Sequence, residues 1–141
     1  MGIFRFLAAA LPVVFLPSVI SFADEPKAVI RGKLIQREGK PPALEIAPGK
    51  LISMDGDGPT VGVLKDPRLA GADLEAHGEF KSPELFAVAP IHTKAVFVHK
   101  DGKRLMVTYW CDICSIRTYT PGLCWCCQED TELDLREPEK E

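Results

Sequence analysis

Between residues 28 and 107 the apolar side chains come in short runs. Several alternate with polar ones, and glycine, proline and aspartate separate the runs. Period-two alternation broken by turn residues predicts strands rather than helices. Residues 29–35 (VIRGKLI) and 44–46 (LEI) have strand chemistry, with REGKPP as the turn between them. Residues 50–54 predict the next strand, DGDGP at 55–59 a loop, and residues 60–64 a further strand. Asp66 as a cap, Pro67 at a first helical position and Gly71 as a stop predict a single helical turn. Residues 74–80 and 85–91 each predict another strand. In AVFVHKDGKRLMVTYW (95–110), Asp101-Gly102 signals a two-residue type I′ turn. That turn pairs Val98 with Leu105 and Val96 with Val107 on one face, and puts Phe97 and Met106 on the other.

Many short strands, one brief helical turn, and glycines inside strands at Gly32 and Gly78 resemble an OB-like barrel over residues 28–91. The glycines would lie where strands bend sharply around a small barrel. The resemblance implies a scaffold on which some families bind oligonucleotides or oligosaccharides. The aromatic stacking platform such binding needs is missing here, and four of the seven phenylalanines fall before residue 23.

The first residues predict targeting rather than fold. Arg5 precedes an apolar run over residues 6–22 that Pro12 and Pro17 interrupt, and Ser21-Phe22-Ala23 offers small residues where a signal peptidase reads. Residues 1–23 are therefore expected to be a signal peptide cleaved before Asp24, giving a periplasmic or extracellular protein. The alternative is an uncleaved anchor, the one case in which a membrane is a partner.

At 46% hydrophobic and 26% charged, the 141 residues suit an ordinary globular chain. Residues 24–127 hold fourteen Lys and Arg against thirteen Asp and Glu, whereas residues 128–141 hold two against seven. The acidity thus belongs to a solvated C-terminal tail, in which Leu133 and Leu135 predict a short edge strand before Pro138. No cationic stripe exists for nucleic acid, which is not expected as a partner.

All five cysteines lie in YWCDICSIRTYTPGLCWCCQ, residues 109–128. Cys111 and Cys114 form one C-x2-C pair, Cys124 and Cys127 a second. Two such pairs suit a tetrahedral ion, since each tight turn offers two sulfurs on one side. Pro121 and Gly122 suit the fixed-φ and positive-φ positions of a type II turn before the second pair.

This stretch resembles the zinc-ribbon-like heavy-metal-binding domain, whose pattern runs Y-x-C-P-x-H, a short spacer, then P-G-x-C-P-x-C-G. Tyr109, Cys111, Pro121, Gly122, Cys124 and Cys127 fall on matching positions. Cys114 replaces the histidine, the spacer is one residue shorter, neither pair has the internal proline, and Gln128 stands where a glycine would allow φ > 0. C-W-C-C also offers Cys126 as an alternative ligand.

Three readings stand. Zinc bound by Cys111, Cys114, Cys124 and Cys127 would make a closed, structural site. In an oxidising compartment, two disulfides and one free cysteine would make a staple for a barrel that binds some ligand. A reactive Cys126 would make a thiol-redox or metal-handling site, with Arg117 the only nearby cation to lower a thiol pKa. Trp110 and Trp125 are expected to shield the cluster or pack it onto the barrel.

His77, His92 and His99 read as strand or surface residues, and Asp55 and Asp57 as turn residues short of a calcium loop. No hydrolase or phosphate-binding motif is present, so no enzyme activity is expected. The expected architecture is mainly β: an OB-like barrel over residues 24–108, a long hairpin running into a zinc-ribbon-like module over 109–135, and an acidic tail over 136–141. The expected partners are a metal ion and an unidentified exported protein.

Overall fold

The computed structural model describes residues 28–140. The expected signal segment lies outside them. Among the described residues nine strands form one continuous sheet, and five of them close on themselves.

Strands β1 (Ala28–Ile35), β2 (Ala43–Ala47) and β3 (Lys50–Asp55) form an antiparallel meander. Strand β4 (Asp73–Ser82) returns beside β1, a Greek-key connection. The short β5 (Leu85–Val88) fills the gap, antiparallel to β4 and parallel to β3. The barrel order is therefore β1-β2-β3-β5-β4 and back to β1.

Two glycines make this closure possible. A Cβ on Gly32 would stand 2.3 Å from the carbonyl oxygen of Glu45, and one on Gly78 would stand 2.0 Å from that of Ala87. Real side chains do not tolerate such contacts with backbone. Gly32 lies near the point where β1 passes from β4 to β2, and Gly78 where β4 passes from β1 to β5. Both therefore occupy the bends that their place within strands predicted. Leu34, Leu44, Ile52, Met54, Leu74 and Phe86 are buried together as the heart of the core.

The strand expected at residues 60–64 is instead helix α1 (Gly58–Leu64). The DGDGP stretch contains its start: the Asp57 carboxylate accepts from the Thr60 N–H at 2.8 Å, and Pro59 occupies the first turn. The buried residues are Thr60, Val63 and Leu64, which is helical spacing; a strand would have alternated. The β-branched residues Thr60, Val61 and Val63 mimicked strand chemistry, but capping and tertiary burial decided the outcome. The predicted helical turn follows as a 3₁₀ turn, Pro67–Leu69, capped by Asp66, with Gly71 at φ +76°.

The strand expected at 85–91 ends at Val88. Beyond it Ile91 takes φ +67° and leads into the single helical turn α2 (His92–Ala95).

The predicted hairpin is β6 (Val96–Lys100) and β7 (Lys103–Cys111), with Val98 opposite Leu105 and Phe97 opposite Met106. Asp101 and Gly102 both have positive φ, as a type I′ turn requires. β6 pairs with β4, so the hairpin extends the barrel sheet. β7 then carries β8 (Ile116–Thr118) and, on its other edge, β9 (Glu132–Arg136). The acidic tail is thus not wholly solvated: Leu133 and Leu135 pack against the core. No helix among the described residues is long and apolar enough to cross a membrane.

Candidate metal centre

β7 delivers the first ligand. It enters the core through Val107 and Tyr109, both fully buried, and ends at Cys111, which is buried as well. The chain turns at residues 112–115 and returns as β8, so Cys114 faces back toward Cys111 and its N–H points at the Cys111 sulfur over 3.4 Å. After β8, the Pro121-Gly122 turn (Gly122 φ +115°) leads into the second pair. There the Cys126 N–H donates to the Cys124 sulfur, also over 3.4 Å.

The two turns share one more feature. Ser115 and Gln128, each the residue after the second cysteine of its pair, have φ +53° and +63°. Gln128 therefore adopts the left-handed conformation that the missing glycine would have made easy. Backbone bonds hold it there: the Gln128 N–H donates to the Cys124 carbonyl at 2.9 Å, and the Cys124 N–H to the Glu129 carbonyl at 2.7 Å.

The sulfurs of Cys111, Cys114, Cys124 and Cys127 all lie within 4.8 Å of one another, and those of Cys111 and Cys127 are 3.5 Å apart. A tetrahedron with metal–sulfur bonds of about 2.3 Å needs sulfur edges of about 3.8 Å. The chemistry and spacing of the donor set suit a thiophilic ion. Cys126 is exposed and outside this group of four.

The electrostatics of the cluster are local. Backbone N–H groups of Cys127 and, against the cost of burial, Cys126 bring the Cys124 thiol down to about 7. The Cys126 side chain beside it, together with burial, pushes the Cys114 thiol well up. Arg117, the cation nearest the cysteines in sequence, has partners of its own. Its guanidinium pairs with Asp134 at 2.7 Å, reaches the Thr108 hydroxyl, and lies 5.1 Å from the centre of the Trp110 ring.

The tryptophans do less than expected. Trp110 donates to Asp112, but Trp125 is 75% exposed. Polar contacts add to the packing of Tyr109, Leu133 and Leu135 in tying the module to the barrel. Buried Asp66 accepts from the Arg68 guanidinium and from the Tyr109 hydroxyl at 2.9 Å. Arg68 also lies 5.2 Å from the centre of the Tyr109 ring and donates to the Thr131 carbonyl at 2.8 Å. Burial alone would raise the Asp66 pKa, but Arg68 and Tyr109 outweigh it and hold the carboxylate low. Aspartate before proline announced a cap at Asp66; nothing in the sequence announced its bond to Tyr109, 43 residues away.

A second polar cluster also escaped sequence reading. On β4, Glu75 accepts from Nε2 of His77 at 2.5 Å, Nε2 of His99 at 2.7 Å and Nε of Arg104 at 3.1 Å. His92 is buried at the start of α2, with Nε2 3.2 Å from the Val107 carbonyl. None of the three histidines approaches the cysteines. Asp55, read as a turn residue, ends strand β3 opposite Ala87, its carboxylate accepting from the Gly56 N–H, while Asp57 caps α1.

No protein-family model, curated protein or solved structure matches this chain.

Proposed function

We propose that the chain is an exported, non-enzymatic metal-binding protein in which an OB-like barrel carries a zinc-ribbon-like module. Cys111, Cys114, Cys124 and Cys127 would hold one zinc ion through four thiolates. The convergence of those four sulfurs within 4.8 Å is the observation that carries the reading. Four thiolates complete a tetrahedral shell, so the ion, once bound, would supply folding energy rather than an open coordination position for chemistry. The closed five-strand barrel, with its fourth strand beside the first and a helix between the third and fourth, supports the OB-like assignment. Export rests on Ser21-Phe22-Ala23 closing the apolar run, and predicts a mature N-terminus at Asp24.

Elemental analysis with a thiol count, on protein recovered from the exported compartment, tests the metal reading. One zinc per chain and no disulfide is the expected result, and Cys111→Ser should abolish the zinc. Two disulfides and no stoichiometric metal would replace the zinc site with a covalent staple.

A further inference from the structure

Three large apolar side chains stand in water around the cysteine turns. Ile113 is 68% exposed, Leu123 61% and Trp125 75%. Each is the chain neighbour of Cys114 or Cys124, whose sulfurs lie within 4.8 Å of each other, so all three belong to one end of the module. Single exposed apolar residues are ordinary, but several together mark a docking surface. The charge around them has one sign. Asp112 adjoins Ile113, Asp130 lies opposite Leu123 in a β-bridge, and the Cys124 N–H donates to the Glu129 carbonyl. Residues 109–135 contain the carboxylates of Asp112, Glu129, Asp130, Glu132 and Asp134 against one cation, Arg117. That cation is taken up by Asp134 at 2.7 Å. Among the described residues the other four carboxylates have no ion-pair partner.

We propose that the tips of the two cysteine turns dock a partner protein through a segment that carries apolar side chains among arginines or lysines. Ile113, Leu123 and Trp125 cover the apolar side chains of that segment, and the exposed Trp125 ring also offers its face to a guanidinium. Tryptophan is the residue type that most often anchors such contacts. Charge complementarity selects this occupant over two others. A lipid surface attracts exposed tryptophan, but anionic headgroups recruit Lys and Arg and repel the carboxylates that stand here. A second copy of this chain would set carboxylate against carboxylate. Only a cationic segment gains from both the apolar and the charged parts of the surface.

A library of short random peptides displayed on phage is selected against the purified full chain, held by an N-terminal tag. The expected outcome is enrichment of sequences in which Arg or Lys stands among Leu, Ile, Phe or Trp. A synthetic peptide of the enriched sequence is then titrated into the chain by calorimetry. Trp125→Ala should weaken its binding about tenfold or more, and Asp112→Asn combined with Glu129→Gln about threefold, a difference that high salt erases. Circular dichroism establishes that each variant is folded, and amide shifts in the wild-type chain, expected at residues 112–113 and 122–130, decide the matter if one is not. No enrichment, or enrichment of acidic or uncharged sequences, would overturn the proposal. So would shifts confined to residues 136–140, or a folded Trp125→Ala that binds the peptide as tightly as wild type. Flotation of the wild-type chain, but not of Trp125→Ala, with vesicles of phosphatidylcholine and phosphatidylglycerol would assign the tips to a lipid surface instead. Dimerisation in sedimentation that Trp125→Ala removes would assign them to a second copy.

Discussion

Replacing Glu75 by glutamine should cost stability at neutral pH and almost nothing in acid. The Glu75 side chain is only 15% exposed, and burial on its own would raise its pKa. The bonds from His77, His99 and Arg104 more than compensate and bring it from 4.5 to about 2. That depression of about 2.5 units, at about 1.36 kcal/mol per unit, corresponds to roughly 3 kcal/mol of stability carried by the ionised form. Because the folded-state pKa is depressed, the contribution is fully present above about pH 4.5. It is lost as the pH falls toward 2, where both folded and unfolded chains are protonated.

Glutamine keeps the shape of the side chain but cannot carry the charge. Chemical denaturation of wild type and Glu75→Gln at pH 7, 4.5, 3 and 2 gives the difference directly. The expected gap is about 3 kcal/mol at pH 7, closing steadily below pH 4.5. A gap of the same size at pH 7 and pH 2 would mean that Glu75 acts through packing or shape, and the electrostatic account of this cluster would be wrong.

Gly78→Ala should destabilise the barrel by about 1–3 kcal/mol or more, since its Cβ would meet the Ala87 carbonyl at 2.0 Å; a thermal midpoint within a degree of wild type would show that the bend is not constrained. Tyr109→Phe should cost about 1.5–3 kcal/mol in denaturant unfolding, because the buried Asp66 carboxylate loses a donor, and no loss would place that bond outside the folded state's needs. Removing metal with a chelator should abolish amide-exchange protection in the two cysteine turns, residues 112–128, while Tyr109, Thr131 and β1 to β5 stay protected. Uniform loss of protection would instead make metal and barrel one cooperative unit.

The parts of this structure that local chemistry controls were readable in advance. The β6–β7 register followed from Asp101-Gly102, the bends from Gly32 and Gly78, and the 3₁₀ turn from Asp66-Pro67. The spacing of the cysteines predicted that four of them would meet, and they do. Helix α1 was missed because Val61 and Val63 carry strand propensity, and its start lies in Asp57 and Pro59, which also read as turn residues. The path after Val88 was missed because an isoleucine at positive φ is an uncommon conformation that no residue preference announces. The Glu75 cluster required the β4–β6 register, which places Glu75 opposite Phe97 and so brings His99 within reach. Alternation within a strand does not reveal which strand lies beside it.

The bond from Tyr109 to Asp66 bears on how a module of this size can be ordered at all. A segment of some twenty residues cannot build a core of its own and generally needs a metal or a scaffold. Here both arms that lead to the cysteines are held by one short turn of the barrel. Tyr109, two residues before Cys111, is held through its hydroxyl by Asp66; Thr131, four residues after Cys127, is held through its carbonyl by Arg68. Thr131 in turn fixes the Pro121-Gly122 turn, donating from both its N–H and its hydroxyl to the Gly122 carbonyl. The scaffold therefore restricts the ends of both cysteine pairs before any ion arrives, and ordering entropy that a free peptide would lose on ligation is already lost on folding of the barrel. The tips are left unsupported: Ile113 and Trp125, inside the two C-x2-C turns, are the most exposed large apolar residues among those described. Any metal affinity of the four sulfurs would accordingly be set from below, by the hold of Asp66 and Arg68 on the arms that carry them.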